Sequence, residues 1–268
     1  MRSTDLVITV TDLPHHEVVR LAMAATGRSR TEVLVGFEVT PDQVARFETY
    51  VERRRVNEPL QYIEGSVPFG PVELLVDDRV LVPRPETEYL FELAISRVDS
   101  PTVIVDLCTG SGNLALGLAS TFPDATVYAV DLSADAAAVA RHNARSNGLD
   151  IVVLTGDLYE PLPPGLLGSV DLLVANPPYL AAREVASLPP DVLAEPMLAL
   201  VAGERGDEVL ERIALDVDRW LRPGGVVMCE ISEYAVAVSL GHFAHLDAVV
   251  EKDLTGTERF VVGHRRTE

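Results

Sequence analysis

Apolar residues recur at helical spacing between Leu13 and Thr26. Val18, Val19, Leu21, Ala22 and Ala25 form one face there, and Gly27 is placed to stop the turn. A short helix over Arg30 to Val35 follows. Thr40-Pro41-Asp42 then combines an N-cap with proline at the first helical position and predicts a helix to about Arg55. Asn57-Glu58-Pro59 ends that pattern. Between residues 60 and 84 the periodicity changes: Val72 to Val76 and Arg79 to Val82 are short β-rich runs around Asp77-Asp78, which predicts a hairpin.

From residue 85 onward strand and helix patterns alternate. Strands are expected at Thr102–Leu107, Thr126–Asp131, Ile151–Thr155, Val170–Ala175 and Val226–Ile231. Helices are expected from Pro85 and at Asn113–Thr121, Ala134–Asn147 and Glu208–Trp220, the last ended by Arg222-Pro223-Gly224-Gly225. Ala248–Lys252 and Arg259–Val262, joined by a turn at Thr255-Gly256, can pair as final strands. Alternation of this kind implies an α/β fold with a mostly parallel sheet and ligands at the strands' carboxyl ends. The expected organisation is a helical domain over 1–65, a β-hairpin linker over 66–84 and an α/β domain over 85–268.

Composition narrows the functions open to such a fold. Lys+Arg 22 against Asp+Glu 41 gives a formal net charge of −19, which repels phosphate backbones and argues against direct nucleic-acid binding. The densest basic stretch, Arg53-Arg54-Arg55, reads more simply as a solvated helix end. No apolar run reaches the roughly 18 residues of a membrane span, and the first residues lack a secretory core. Two cysteines fit a reducing compartment, so the expectation is a cytoplasmic protein, taken as a monomer. Cys108 and Cys229 read as small buried side chains. His242 and His245 lack a third ligand nearby, so no metal is expected.

The chemistry begins at Asp106-Leu107-Cys108-Thr109-Gly110-Ser111-Gly112, a strand end followed by a tight glycine turn and a helix start. Glycines at 110 and 112 would let a ligand approach the backbone. Asp131 closes the next strand about 20 residues after Gly110, where an acid can hold ribose hydroxyls. The pattern alone also fits a dinucleotide fold. Asp106 favours S-adenosyl-L-methionine, because a carboxylate there suits a cationic ligand and not a pyrophosphate. Asp157 ends the third strand of this set, where it could read an adenine amino group or cap a turn.

Asn176-Pro177-Pro178-Tyr179 follows the strand Val170–Ala175, expected to be buried. Two prolines stiffen the loop and remove two N–H donors. The Asn176 side-chain oxygen and the Pro177 carbonyl can together accept both hydrogens of a substrate –NH2 group, and Tyr179 can stack on a flat substrate. An amide nitrogen is a poor nucleophile, so such a site works by positioning and electrostatics.

The chain resembles the HemK/PrmC family of protein-glutamine methyltransferases through several stretches. They are Glu58-Pro59-Leu60-Gln61-Tyr62-Ile63-Glu64-Gly65, Val80 to Glu88 with its Pro-Arg-Pro-Glu-Thr-Glu run, Asp106 to Gly112, Asn176 to Tyr179, and Glu195-Pro196 with Ala199-Leu200. The resemblance implies a Rossmann-like class I methyltransferase domain and a helical substrate-recognition domain. It also implies S-adenosylmethionine as cofactor and the glutamine of the Gly-Gly-Gln tip of a peptide-chain release factor as substrate. It places the cofactor on Cys108 to Gly112, Asp131, Leu158 and Asn176, and the substrate on Asn176, Pro177, Pro178 and Tyr179. Arg84, Pro85, Glu86 and Thr87 would support the cofactor's methionine end. Cys108 to Gly112 is also similar to a sister enzyme acting on a ribosomal protein. Alternatives are therefore a ribosomal-protein glutamine, a small amide or amine, a nucleic-acid adenine, or cofactor binding without catalysis.

Overall fold

Local capping sets the first five helices: α1 (Ser3–Thr9), α2 (His15–Thr26), α3 (Arg30–Val35), α4 (Pro41–Arg55) and α5 (Leu60–Glu64). Ser29 and Glu32 exchange hydrogen bonds at the start of α3, as Thr40 and Gln43 do at α4, and each pair satisfies two otherwise orphaned donors. Gly27, at φ 68°, ends α2 in the left-handed conformation. Leu6, Val18, Leu21, Val33, Phe47 and Ile63 are among the buried residues of this core. In this computed structural model, which describes residues 1–267, the chain divides into two compact units. The first is residues 1–66 with 189–194, and the second is 67–188 with 195–268. Arg53, Arg54 and Arg55 pair with Glu58, Glu17 and Asp12, so this basic stretch is a set of ion pairs within the helical unit and not a free cationic face.

The second unit starts with a two-stranded sheet, β1 (Ser66–Phe69) and β2 (Val72–Leu75), turning at Gly70-Pro71. The hairpin expected around Asp77-Asp78 is therefore displaced toward the N-terminus, and Arg79–Val82 forms no strand. The reason is chemical: Gly70 at φ 47° makes the tight turn, while Asp77 is turned on Arg79, binding its backbone N–H and guanidinium.

After α6 (Pro85–Arg97) come β3 (Val103–Leu107), α7 (Asn113–Thr121), β4 (Thr126–Asp131), α8 (Ala134–Ser146), β5 (Val152–Thr155) and β6 (Val170–Ala175). The rest of the chain gives β7 (Leu180–Ala181), α9 (Met197–Leu200), β8 (Val201–Gly203), α10 (Glu208–Trp220), β9 (Leu221–Glu230), α11 (Val236–His242), β10 (Asp247–Lys252) and β11 (Glu258–His264). Seven strands make one sheet in the order β10-β11-β9-β6-β3-β4-β5, with β9, β6, β3, β4 and β5 parallel and β11 and β10 antiparallel. Arg222-Pro223-Gly224-Gly225, expected to separate helix from strand, lies within β9 as a bulge: Val170 pairs with Leu221 and Leu172 with Val226. A side chain at Gly225 would meet the Val170 carbonyl at 2.7 Å.

Two asparagines about one turn apart, Asn143 on α8 and Asn147 at its C-cap, hold the hairpin. Asn143 accepts from Leu75 N (2.9 Å) and donates to Leu75 O (3.0 Å) and Ser111 O (2.9 Å), while Asn147 does the same for Glu73 at 3.2 and 2.8 Å. They satisfy the backbone of β2 much as a neighbouring strand would. Asn143 is buried, so Asn143→Ala leaves three backbone groups unpaired and is expected to lower stability by about 2–3 kcal/mol. Urea unfolding at constant slope measures this.

Candidate active site

A cavity of about 310 Å³ lies at the carboxyl ends of the parallel strands, the size of a small-molecule site. Cys108, Thr109, Gly110 and Ser111 of the glycine loop line it, with Asp131, Asp157, Leu158, Asn176, Pro178 and Thr87. Asp106 and Gly112 lie behind this lining, and Pro177, Tyr179, Arg84, Pro85 and Glu86 lie outside it.

The loop is wound tightly. Cys108 (φ 61°) and Gly110 (φ 55°) both take the left-handed conformation, and for Cys108 this costs on the order of 1 kcal/mol. A Cβ on Gly110 would project into open space, consistent with a ligand approaching its backbone. At Gly112 a Cβ would instead meet Leu116 at 3.2 Å and Ala140 at 3.3 Å. That glycine accommodates the close approach of α7 and α8, a different reason from the ligand clearance expected of it.

Asp106 is fully buried. Its Oδ2 accepts from the Thr109 hydroxyl (2.5 Å) and from Ala115 N (3.1 Å), while its Oδ1 has no hydrogen-bond partner. Burial pushes this carboxyl up to about 7, the bonds from Thr109 and Ala115 pull it down, and the Asp131 charge adds to the rise. Asp131 accepts from Gly110 N and Ser133 N, both at 2.8 Å. Burial raises its pKa too, against those two bonds. An orphaned buried carboxylate oxygen, a second acid facing the cavity and an open glycine backbone fit a ligand carrying an ammonium group and ribose hydroxyls. S-adenosylmethionine is such a ligand.

At the far side Asp157 Oδ2 accepts from Arg212 Nη2 at 2.7 Å, and both residues line the cavity. Arg212 lay outside the sequence reading; its signal was a cation on the polar face of α10, which a single sequence does not tie to Asp157. Leu158 beside it is also left-handed, at φ 48°.

Asn176 emerges from β6, all of whose residues are buried. Its Nδ2 donates to Thr87 Oγ1 at 3.0 Å, and the Thr87 hydroxyl donates to Glu230 Oε2 at 2.8 Å. Among the described residues no hydrogen bond reaches the Pro177 carbonyl. Tyr179 is half-buried, and burial followed by the Glu230 charge raises its phenol. Arg84 pairs with Glu195, whose other oxygen accepts Val82 N at 2.9 Å. This interaction joins the Pro-Arg-Pro-Glu-Thr-Glu and Glu-Pro stretches. His242 bonds Asp207 at 2.9 Å. Cys108 is half-buried at the cavity wall and Cys229 is buried.

Residues 9–65 match the PrmC N-terminal domain and residues 90–199 the methyltransferase small domain. A release factor glutamine methyltransferase of Deinococcus radiodurans is 42% identical over 89% of this chain and 87% of that protein. Another, of Mycolicibacterium smegmatis, is 40% identical over 94% and 91%. The crystal structure of a methyltransferase from Pyrococcus furiosus is similar with a TM-score of 0.55 at 19% identity, covering 73% of this chain and 89% of that one, and shares the fold.

A cation bound in the cavity near Asp106 would link ligand binding to protons. A cation beside this residue needs the carboxylate, which burial keeps largely protonated below about pH 7. Calorimetry should find that affinity for S-adenosylmethionine falls as pH drops through 7, by up to about tenfold per unit. Asp106→Asn should weaken binding and flatten the dependence. Affinity constant from pH 8 to 6 in the unmodified protein would contradict this.

Proposed function

The chain belongs to the family of release factor glutamine methyltransferases, and from that premise we propose that it transfers a methyl group from S-adenosylmethionine to a glutamine side-chain amide in a peptide-chain release factor, at the Gly-Gly-Gln motif. The observation that carries this reading is the seating of Asn176. Its amide nitrogen is committed to Thr87, so its oxygen is left to accept from a substrate.

S-adenosylmethionine, when bound, supplies an electrophilic methyl on a sulfonium sulfur. Asp106 and Asp131 hold the cationic and ribose parts, helped by the backbone of Cys108 to Gly112, with Asp157 and Leu158 at the adenine side. Asn176 Oδ1 and the Pro177 carbonyl accept the two N–H bonds of the glutamine amide, which orients the nitrogen lone pair and weakens its conjugation with the carbonyl. Pro178 and Tyr179 shape the flat slot. Arg84, Pro85 and Glu86 hold this wall in place from outside the cavity. The nitrogen sheds a proton to water after gaining the methyl, so no strong base is required beforehand.

Residues 1–65 serve as the part that recognises the release factor, and 66–84 as the hairpin linker to a catalytic domain over 85–268. The same reading has the reaction carried out in the cytoplasm by a monomer acting on protein and not nucleic acid. The net charge of −19 supports the last point, and no helix among the described residues is long and apolar enough to cross a membrane.

Release factor incubated with the protein and S-adenosylmethionine is expected to yield one peptide carrying a methylated glutamine by mass spectrometry. Asn176→Ala should lower turnover on the order of 100-fold or more while changing cofactor affinity far less. Equal losses in both would assign Asn176 a different role.

A further inference from the structure

Two residues reach Asn176 from outside the loop that bears it. Thr87 is the third residue of α6, Glu230 ends β9, and they are 0% and 1% exposed. We propose that Thr87 and Glu230 form a positioning relay that decides which end of the Asn176 amide faces the substrate. The role given to Asn176 rests on the function proposed above.

Proton counting sets the direction of both bonds. A threonine hydroxyl has one proton, and an ionised carboxylate only accepts. With Glu230 ionised, the Thr87 proton is spent on Oε2, 2.8 Å away, and Thr87 Oγ1 has only lone pairs for Asn176. The –NH2 end of Asn176 must then face Thr87, at 3.0 Å, and Oδ1 must face the cavity. The reverse orientation would set two acceptors against each other in a buried place, which is costly. A protonated Glu230 removes the constraint. Its own O–H can donate to Thr87, whose proton is then free for the oxygen of a flipped Asn176. That flip presents –NH2 to the –NH2 of a glutamine, donor against donor.

Groups of both signs surround Glu230. Glu86 on α6 opposes its ionisation, while Arg84 before α6 and Arg259 on β11 favour it; the Tyr179 phenol is neutral. Arg259 is shared with Glu233 at 3.6 Å and Asp253 at 3.8 Å. Burial outweighs the cations and pushes Glu230 up to about 7, against the Thr87 bond. Sign follows directly: the relay is polarised above that pH and loses direction as pH falls through it.

Three substitutions test the relay in the full chain. Thr87→Val keeps the shape and removes the hydroxyl; it should lower kcat on the order of 100-fold with S-adenosylmethionine affinity within about threefold. Thr87→Ser should keep kcat within about threefold of the parent, which a packing role for the methyl group would not allow. Glu230→Gln cannot titrate and, like the protonated acid, can donate to Thr87 as well as accept, so kcat should be lowered at every pH and its acid limb near pH 7 should vanish. Nuclear magnetic resonance of the Asn176 side-chain amide reads the relay without any methyl transfer. Its signals should shift with pH around 7 in the parent protein and stay still in Glu230→Gln and Thr87→Val. A parent protein that methylates no release factor yet shows this titration would refute the proposed function and leave the relay standing. An amide indifferent to pH, or Thr87→Val turning over like the parent, would overturn the relay.

Discussion

Parallel register along one sheet edge is the constraint on which the site depends. Ala175 is paired with Cys229 on one side and Leu107 on the other, and Leu107 with Val130. The next residue of each strand therefore emerges at the same level: Glu230, Asn176, Cys108 and Asp131. A slip of one residue in β6 would exchange the faces of all its side chains. Such a slip is opposed because β6 is buried throughout, with neighbours on both sides, and is apolar from Leu172 to Ala175. Asp171, at its other end, is held by Thr102, Val103 and Arg222, and the next polar position is Asn176, just past the strand. Fold and chemistry are coupled there: the sheet needs the edge to place polar groups, and the reaction needs several of them in one row.

Asp106 within β3 and Glu230 at the end of β9 are both acids that burial drives toward the neutral form, and the structure treats them differently. Asp106 keeps one oxygen without a partner and sits behind the glycine loop, where burial raises its pKa. Glu230 already has a donor in Thr87 and lies within reach of the Arg84 and Arg259 charges. One carboxyl is left with a free acceptor and the other holds a side chain. Arg84 is itself balanced by Glu195, so no bare cation remains there to compete for the site.

Local physics was legible in the sequence and non-local physics was not. The bounds of Arg30–Val35 and Pro41–Arg55 could be read because each helix is started by a reciprocal cap three residues long. Val170–Ala175 and the Asn-Pro-Pro-Tyr loop could be read because an apolar run and two prolines carry their own geometry. The hairpin was misplaced because Asp77-Asp78 and Gly70-Pro71 are both turn signals, and what distinguishes them comes from elsewhere: Glu88 accepts Gly70 N at 2.8 Å and Asn143 holds Leu75. Asn143 and Asn147 had a usable signal, two amides four apart in an alanine-rich helix, but their partners lie 68 and 74 residues away. Glu230 is 143 residues from Thr87, and nothing local in either predicts the other.

The Pro-Arg-Pro-Glu-Thr-Glu stretch concentrates these distant ties. Arg84 binds Glu195, Thr87 binds both Asn176 and Glu230, and Glu88 binds the turn at Gly70. Only Thr87 of the four positions 84 to 87 touches the cavity. Pro85 at the first helical position fixes where α6 begins. Starting the helix one residue later would rotate every following side chain by roughly 100°, and three separate contacts would fail together. The glycine loop is tied to its near neighbours β4 and α8, through Asp131 and Asn143. This stretch answers to the hairpin, the 195–200 segment and two strand ends at once. That explains in physical terms why a run lying mostly outside the cavity identifies the enzyme more sharply than the loop lining it.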